Sequence, residues 1–364
     1  MKADTARVHT IRLESWKDLP GLESAWNGLL DSSPGHSVFQ TFPWHVCWWK
    51  AFGDSHELLV ILAYAGSRLV GIAPMMIARE KGLIGQGRHL HFIGSINGAS
   101  DYCDFITDPG VPEALDALLR EICIGSKPFC RIDLSHFPSH SPNQTRTLKF
   151  FGHRGIRAFV ESRVDAPVRI LGDAGADLKA ANKSSLKRHT SFFRKSGELH
   201  FHRCESEEEI LGYLEQFFEQ HKSRWAPTAS PSQFFDPDQR GFYRELVREL
   251  FPRGWLRFDA VLFNGEPLAF HFGFEYRRRF IWYKPTFDVR FASRSPGEVL
   301  IKFLLEDAIK RKLEEFDFTV GSESFKYRFA NQVRSNNRLI APGSASDYWI
   351  LRSKSMLKNI LKPA

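Results

Sequence analysis

The sequence predicts a mixed α/β protein built from two domains of related topology. Three observations carry that prediction. The chain has 364 residues, the length of about two domains at roughly 150 residues each. Hydrophobic residues make up 43% and aromatic residues 13%, which fills a sizeable core and argues against disorder. Strand-like and helix-like patterns alternate, and their order in the first half returns in the second.

Residues 8–18 read as a first strand, and Gly21 to Leu30 as a short amphipathic helix ending in the turn-rich 31–35. The next segment, Phe39 to Phe52, holds six aromatic residues in 14 positions. Pro43 suits a helix start, and Trp44, Trp48 and Trp49 then form an indole stripe that reads as core. Leu58 to Tyr64 is a strand, 65–68 a tight turn, and Leu69 to Ala78 the returning strand. Pro74 marks a bulge or an edge position there. His89 to Gly94 is a further strand, Val111 to Cys123 a helix, and Phe129 to Leu134 a strand. Residues 135–165 have weak periodicity, so the domain boundary is placed near them, giving domains at 8–160 and 165–350.

The second half opens with 182–197, which carry five Lys or Arg and no acid. Leu186, Thr190 and Phe193 share one helix face. Glu207 to Lys222 is a helix with Ile210, Leu211, Leu214, Phe217 and Phe218 inward, and Gly241 to Leu250 is another. Trp255 to Phe263 and Pro267 to Tyr276 form a hairpin around Asn264-Gly265, a strong turn pair. Phe280 to Tyr283 is the next strand. Pro296 to Leu313 is a long helix, and Phe316 to Val320 a strand. Each half thus runs two helices, a hairpin, then a later helix and strand.

Lys and Arg number 50 against 42 Asp and Glu, a net charge of +8. That excess permits anionic partners without requiring nucleic acid, and no DNA partner is expected. No apolar leader follows the early basic residues, and no run approaches about 18 apolar residues, so no membrane span is expected and the chain is placed in the cytoplasm. The five cysteines, Cys47, Cys103, Cys123, Cys130 and Cys204, are odd in number and widely spaced, and read as small buried hydrophobes rather than a disulfide framework. His89 and His91 share a strand face, but no third ligand is evident in sequence, so no metal site is expected. No Walker loop, dinucleotide fingerprint, zincin helix or zinc-finger spacing is present.

The most informative stretch is Tyr283 to Leu300. A strand ends near Lys284-Pro285, a loop runs from Thr286 to Ser295, and a long helix follows. Ser295 suits the N-cap, Pro296 the first turn, and Glu298 the return partner of a capping box. Backbone N–H groups at that helix start, with Arg294 beside them, make an anion-binding site. The plainer reading is a well-capped helix. In the first half, Asp101 and Asp104 could line an acceptor cleft, although on a strand they would point to opposite faces. A turn or strand end is the plainer reading there.

Arg294 to Val299 resembles the pyrophosphate-binding signature of GNAT-type acyltransferases. That signature has a basic residue or Gln, two spacers, Gly, one spacer, and Gly or Ala; Val299 stands where the last small residue is usual. The wider set resembles the BioF2-like, cellulose-biosynthesis-type (CelD-like) acetyltransferase family of bacteria. It comprises Leu262 to Ala269, Tyr283 to Asp288, Ser295 to Gly297, Phe316 to Phe318 and Gly321 to Lys326, in that order. Phe39 to Trp49, Val70 to Pro74 and Asp101 to Asp104 extend it into the first half, so it covers roughly residues 10–335. That family is related to the aminoacyltransferases that build peptidoglycan bridges.

The resemblance implies tandem GNAT-like acyl-CoA N-acyltransferase domains with α+β mixed sheets. It implies acetyl-CoA or another acyl-CoA as substrate in the second domain, with an amine or hydroxyl acceptor, a sugar being one candidate, in polysaccharide or envelope biosynthesis. The pyrophosphate would meet the N–H groups of Gly297, Glu298 and Val299, helped by Arg294 and Ser295. The pantetheine would lie between strands 280–284 and 316–320. Basic residues 183–195 would reach the nucleotide phosphates, or simply form a solvated helix face.

Direct attack on a thioester needs an oriented acceptor, a proton acceptor and oxyanion stabilisation. The candidates are Asp288 and Glu323 as base or acceptor-positioning groups, His271 as base, Tyr283 as proton donor to the thiolate, and Lys326 as an anchor for an acidic group or a partner of Glu323. Two other readings compete. One is an aminoacyl-tRNA-dependent transferase of the peptidoglycan-bridge type, whose usual long coiled-coil insertion has no counterpart here. The other is a non-catalytic module binding a polysaccharide or a protein through Phe39–Phe52, Trp255 and Trp282.

Overall fold

The computed structural model describes residues 7–81, 86–124, 129–228 and 231–360. The chain divides into two compact units, Met1–Asp165 with Arg334–Ala364, and Ala166–Val333.

The first unit opens with β1 (Val8–Leu13), α1 (Glu23–Ser32) and α2 (Phe42–Phe52). Helix α2 is apolar on most of its circumference, so it must be buried rather than half-exposed. Trp44, Cys47 and Trp48 are buried completely. Each such indole removes about 150–250 Å² from water, favouring folding by roughly 4–6 kcal/mol before entropy losses. The Trp44 ring N–H donates to Ser100 Oγ at 2.9 Å, and Trp49, less buried, stacks on Trp16. The expected core stripe is therefore present.

Strands β2 (Glu57–Ala65), β3 (Arg68–Lys81) and β4 (Gln86–Phe92) follow as an antiparallel meander on β1. Pro74 lies inside this sheet, opposite Val60, and the register shift falls between Ala63 and Tyr64 instead. The sheet tolerates the proline because its carbonyl accepts from Ile93 N–H. Its nitrogen faces that same side, where the pairing with β4 has just ended at Met75 opposite Phe92. A short β5 (Ile106–Thr107) pairs with β3; then α3 (Glu113–Ile124) leads to β6 (Arg131–Pro138), parallel to β4. Helix α4 (Pro142–His153), capped by Ser141 on Asn143 N–H, occupies what reads in sequence as weakly periodic linker.

Strand β7 (Phe159–Ile170) carries the chain across the unit boundary. The second unit continues with α5 (Ala174–Ala181), α6 (Ser184–Ser196), β8 (Leu199–Arg203), α7 (Glu207–Trp225) and α8 (Pro237–Leu250). As the periodicity requires, α6 buries Leu186, Thr190 and Phe193 and turns its basic residues outward. Strands β9 (Leu256–Phe263) and β10 (Glu266–Tyr276) form the expected hairpin. Asn264 and Gly265 both adopt positive φ, 52° and 82°, as a tight primed turn needs. Strand β11 (Arg279–Phe287), α9 (Pro296–Lys310), β12 (Glu315–Asp317) and α10 (Ser324–Phe329) complete it. The sheet order is β7-β12-β11-β10-β9-β8, with β11 and β12 parallel.

The chain ends with β13 (Gln332–Pro342) and α11 (Ala345–Ile360). β13 pairs antiparallel with β6, so residues 334–350 belong to the first unit rather than extending the second. That pairing joins residues about two hundred positions apart and has no local signature. Among the described residues, no helix is long and apolar enough to cross a membrane.

Candidate acyl-donor site

The site grows out of one topological feature. Strands β11 and β12 pair in parallel at only three positions, Arg279 with Glu315 through Ile281 with Asp317. β12 then stops, while β11 runs on to Phe287, held on its other edge by β10. Thr319 Oγ1 closes the end of the pair by donating to the Trp282 carbonyl at 3.1 Å. Beyond it, no strand of the described residues pairs with this edge of β11.

A cavity of 230 Å³ lies along that edge, lined by Arg224, Trp282, Pro285, Thr286, Phe287, Ala292, Ser295, Gly297, Glu298, Ile301 and Phe325. Arg224, from the last turn of α7, donates to the Pro285 carbonyl at 2.7 Å and lies 4.5 Å over the Phe287 ring. Burial pulls its pKa down to about 10, against the pull of Glu323, so it stays cationic near neutral pH. Thr286 is fully buried, and its Oγ1 has no hydrogen-bond partner among the described residues. The pocket is thus mostly apolar, with a few polar groups able to fix a ligand's orientation.

The start of α9 differs from the capping box read in sequence. Ser295 adopts a left-handed conformation, φ 54° and ψ 55°, and its side chain makes no cap bond. Its carbonyl instead accepts from Glu298 and Val299 N–H, at 3.0 and 3.4 Å. The Glu298 carboxylate turns to Arg328 at 2.5 Å, with His189 at 3.8 Å. The reason is the preceding segment: residues 289–294 form a 3-10 helix rather than an open loop, and it enters α9 through a left-handed residue. A non-glycine residue in that region carries strain of about 1–3 kcal/mol. Arg294 is exposed and stacks 4.3 Å over Phe192 of α6.

Gly297 is informative for what does not surround it. A Cβ built there would meet nothing closer than Phe287 Cδ1, at 3.6 Å, and its φ is not positive. Neither packing nor backbone geometry requires glycine in this first helical turn. Gly321 is the opposite case. Its φ is 138°, and a Cβ would lie 2.1 Å from Glu323 Oε2.

The remaining sequence candidates do not converge on the cavity. His271 is wholly buried, stacked between Phe280 and Trp282, with Nδ1 3.4 Å from Asp259 Oδ2. Burial lowers its pKa, opposed by the Asp259 bond and charge. A ring so enclosed has no route to an acceptor. It belongs to a buried charge network with Arg257, which pairs with Asp259, Glu275 and Asp307.

Tyr283 follows Trp282 on β11 and so faces the other side of the sheet. There it packs on Tyr243 and Phe274 beneath Lys284. Asp288 caps the 3-10 helix at Arg290 N–H and forks onto the Arg290 guanidinium, beside a different pocket. Lys326 is buried and donates to the Val320 carbonyl at 2.7 Å while pairing with Glu323 at 3.1 Å, a framework contact. The Glu323 carboxylate is 54% exposed and within electrostatic reach of Arg224, so it is the candidate nearest the cavity's charge.

Sequence reasoning missed Arg224 and Thr286. Arg224 lies two residues past the predicted helix end, and Thr286 sits in what reads as a loop. In the first unit, Asp101 and Asp104 lie on an irregular segment, both buried. Asp104 accepts from Ser141 Oγ and Asn143 Nδ2 at 2.5 and 3.0 Å. Burial raises its pKa to about 7, opposed by those bonds. This is a structural knot rather than an acceptor cleft.

Residues 180–327 match the family model described as an acetyltransferase (GNAT) domain. No curated protein matches the chain. Among solved structures, FemX is similar with a TM-score of 0.61 at 10% identity, over 90% of this chain and 96% of FemX. L-PGS from Bacillus licheniformis gives 0.53 at 12%, over 92% and 95%. A tandem GNAT protein from the clavulanic acid biosynthesis pathway gives 0.51 at 11%, over 93% and 99%. At such identities the likeness is one of fold. The fold is that of tandem GNAT proteins, residues 180–327 form its acetyltransferase-type domain, and the protein is an acyltransferase by class.

Proposed function

We propose that the second unit binds acyl-CoA, with acetyl-CoA the simplest donor, and transfers its acyl group to an amine or hydroxyl of a polysaccharide or envelope precursor. The observation that carries this reading is the open edge of β11 beyond Ile281, with a pocket along it and the start of α9 at one end. The acyl-pantetheine arm lies along that edge, in the cavity bounded by Trp282, Phe287 and Ile301. Arg224 and the unpartnered Thr286 hydroxyl supply donors in the pocket for a carbonyl oxygen. The pyrophosphate meets the first turn of α9 at Gly297, where the missing side chain lets the backbone approach a ligand closely. Arg294 and the outward basic face of α6 add positive charge for the nucleotide phosphates. Because Glu298 and Val299 N–H already donate to Ser295, Gly297 carries more of this contact than the sequence pattern implies.

The acceptor nitrogen or oxygen attacks the thioester carbon, charge builds on the carbonyl oxygen, and the C–S bond breaks to release CoA thiolate. The acceptor's proton passes to a base, and the thiolate takes up a proton. Glu323 is the base or positioning group this geometry favours, since His271, Tyr283 and Asp288 are committed elsewhere. The acceptor assignment to polysaccharide or envelope chemistry rests on the sequence resemblance to the cellulose-biosynthesis-type family.

The test is thermal unfolding of the full chain with CoA, acetyl-CoA and longer acyl-CoAs. A ligand of the native state raises the midpoint by mass action. A concentration-dependent rise is expected with CoA, and a larger one with the preferred acyl-CoA. No rise at millimolar ligand overturns the donor assignment.

A further inference from the structure

The sequence shows two histidines on one strand face and no third ligand. The sheet supplies the third. In the antiparallel pairing of β3 with β4, His89 lies opposite Ala78, His91 opposite Met76, and Glu80 opposite Gly87. Side chains alternate along a strand, so Glu80 shares a face with Ala78 and reaches His89 on the diagonal. Glu80 Oε2 stands 2.8 Å from His89 Nδ1, and Oε1 3.2 Å from His91 Nε2. Both imidazoles are buried, at 2% and 3% exposure, while the Glu80 side chain is 36% exposed.

We propose that Glu80, His89 and His91 form a divalent-metal site of the zinc type in the first unit. Donor chemistry is the first argument. Two imidazole nitrogens and one carboxylate, with a fourth position left to water, form a recurrent Zn²⁺ ligand set. Geometry is the second. Ligand atoms each about 2.1 Å from a tetrahedral ion stand about 3.4 Å apart. The two nitrogen–oxygen separations lie just inside that spacing, and all three ligand atoms are within 4.8 Å of one another. An ion needs the two nitrogen–oxygen separations to widen by about 0.2 to 0.6 Å.

The third argument is an unsatisfied atom. His91 Nε2 is buried and makes no hydrogen bond, although Glu80 Oε1 is 3.2 Å away. The separation suits a partner, but the direction does not suit a proton between the two. A metal ion bridging them removes that orphan, which is otherwise costly in the interior. Asp133, beside His91 on β6, is buried and paired with Arg338 at 2.5 Å. That pair is neutral as a whole and adds no net charge to the site. The exposed side of Glu80 is the way in for the ion.

His202, Cys204 and Glu209 form the other such cluster among the described residues. There Glu209 is engaged in the backbone turn before α7, accepting from Glu205 N–H at 2.9 Å and contacting His202. That cluster serves as the control.

The experiment uses the full-length protein, stripped with chelator, dialysed against ZnCl₂ and measured by elemental mass spectrometry. One Zn²⁺ per chain is expected. Affinity should fall in Glu80→Gln and His91→Ala by more than the about 10- to 100-fold typical of changes beyond the ligand shell, and stay unchanged in His202→Ala. X-ray absorption on the wild-type protein decides the ligand set even where a variant fails to fold. Nitrogen and oxygen scatterers with imidazole signatures support the site. A sulfur scatterer, binding below stoichiometry, or full retention of Zn²⁺ in a folded His91→Ala protein overturns it.

Discussion

The two units reach the same point in their topology and treat it differently. In each, a third strand of a meander pairs briefly in parallel with the strand beyond the next helix. β11 meets β12 at three positions, and β4 meets β6 at His89 with Arg131 and Leu90 with Ile132. In the second unit, the space past the pair is a cavity. In the first, the chain itself fills the corresponding place. Phe105 packs edge-on against Phe92 and Phe137, with centroids 5.1 and 6.0 Å away. Cys103 N–H donates to the His136 carbonyl at 2.9 Å. The parallel pair makes a possible site, and the residues that follow decide whether a ligand or a phenylalanine occupies it.

The sharpest way to break that comparison is to empty the filled site. Phe105→Ala should destabilise the protein by about 3–5 kcal/mol, the usual penalty for removing a wholly buried phenylalanine, read from urea unfolding. Wild-type stability in this variant would mean that the aromatic packing does not hold the first unit closed.

A second contrast is electrostatic. Asp104 keeps its proton in the folded state up to about pH 7, because burial penalises its charge. The unfolded chain loses that proton near pH 4. The native state therefore binds more protons between those values, and stability contributed at this residue falls as pH rises, by at most about 1.4 kcal/mol per pH unit, and levels off above 7. Asp104→Asn should flatten that slope in unfolding measured from pH 4 to 8. Asp259 in the second unit is shifted the other way, since Arg257 and His271 outweigh its burial. Its contribution is present above the ordinary Asp pKa and declines as pH falls through its lowered value.

Smaller effects test the open site. Arg224→Ala should weaken acyl-CoA binding about 10- to 150-fold, the loss of one charged hydrogen bond at roughly 1.5–3 kcal/mol, seen as a higher KM or a reduced thermal shift. Arg224→Lys should recover only part, because an ammonium lacks the planar fork. Gly297→Ala should leave the fold intact and add up to about 0.5–1 kcal/mol of helix stability, yet weaken CoA binding. Equal CoA affinity in this variant would place the pyrophosphate elsewhere.

Local patterns carried much of the architecture. The Asn264-Gly265 hairpin, the aromatic α2, the buried face of α6 and the start of α9 at Pro296 all follow from short-range periodicity and turn chemistry. Legibility failed where the partner lay far along the chain. Pro74 reads as an edge marker, yet sits mid-sheet because the neighbouring ladder ends beside it. His271 reads as a titrating base, yet Asp259, Phe280 and Trp282 enclose it. Arg224 and Thr286 carry no motif and acquire meaning only from the cavity they line.

The sequence alone determined the hairpins, helices α1 to α3 and α6 to α9, and their repeated order, since periodicity and turns are set by residues within a few positions of one another. Only the tertiary structure decided which repeat stays open, which carboxylates are committed to structural pairs, and that Glu80 stands between His89 and His91. Those outcomes depend on strand register and on where strands part, which are fixed by packing across the whole unit.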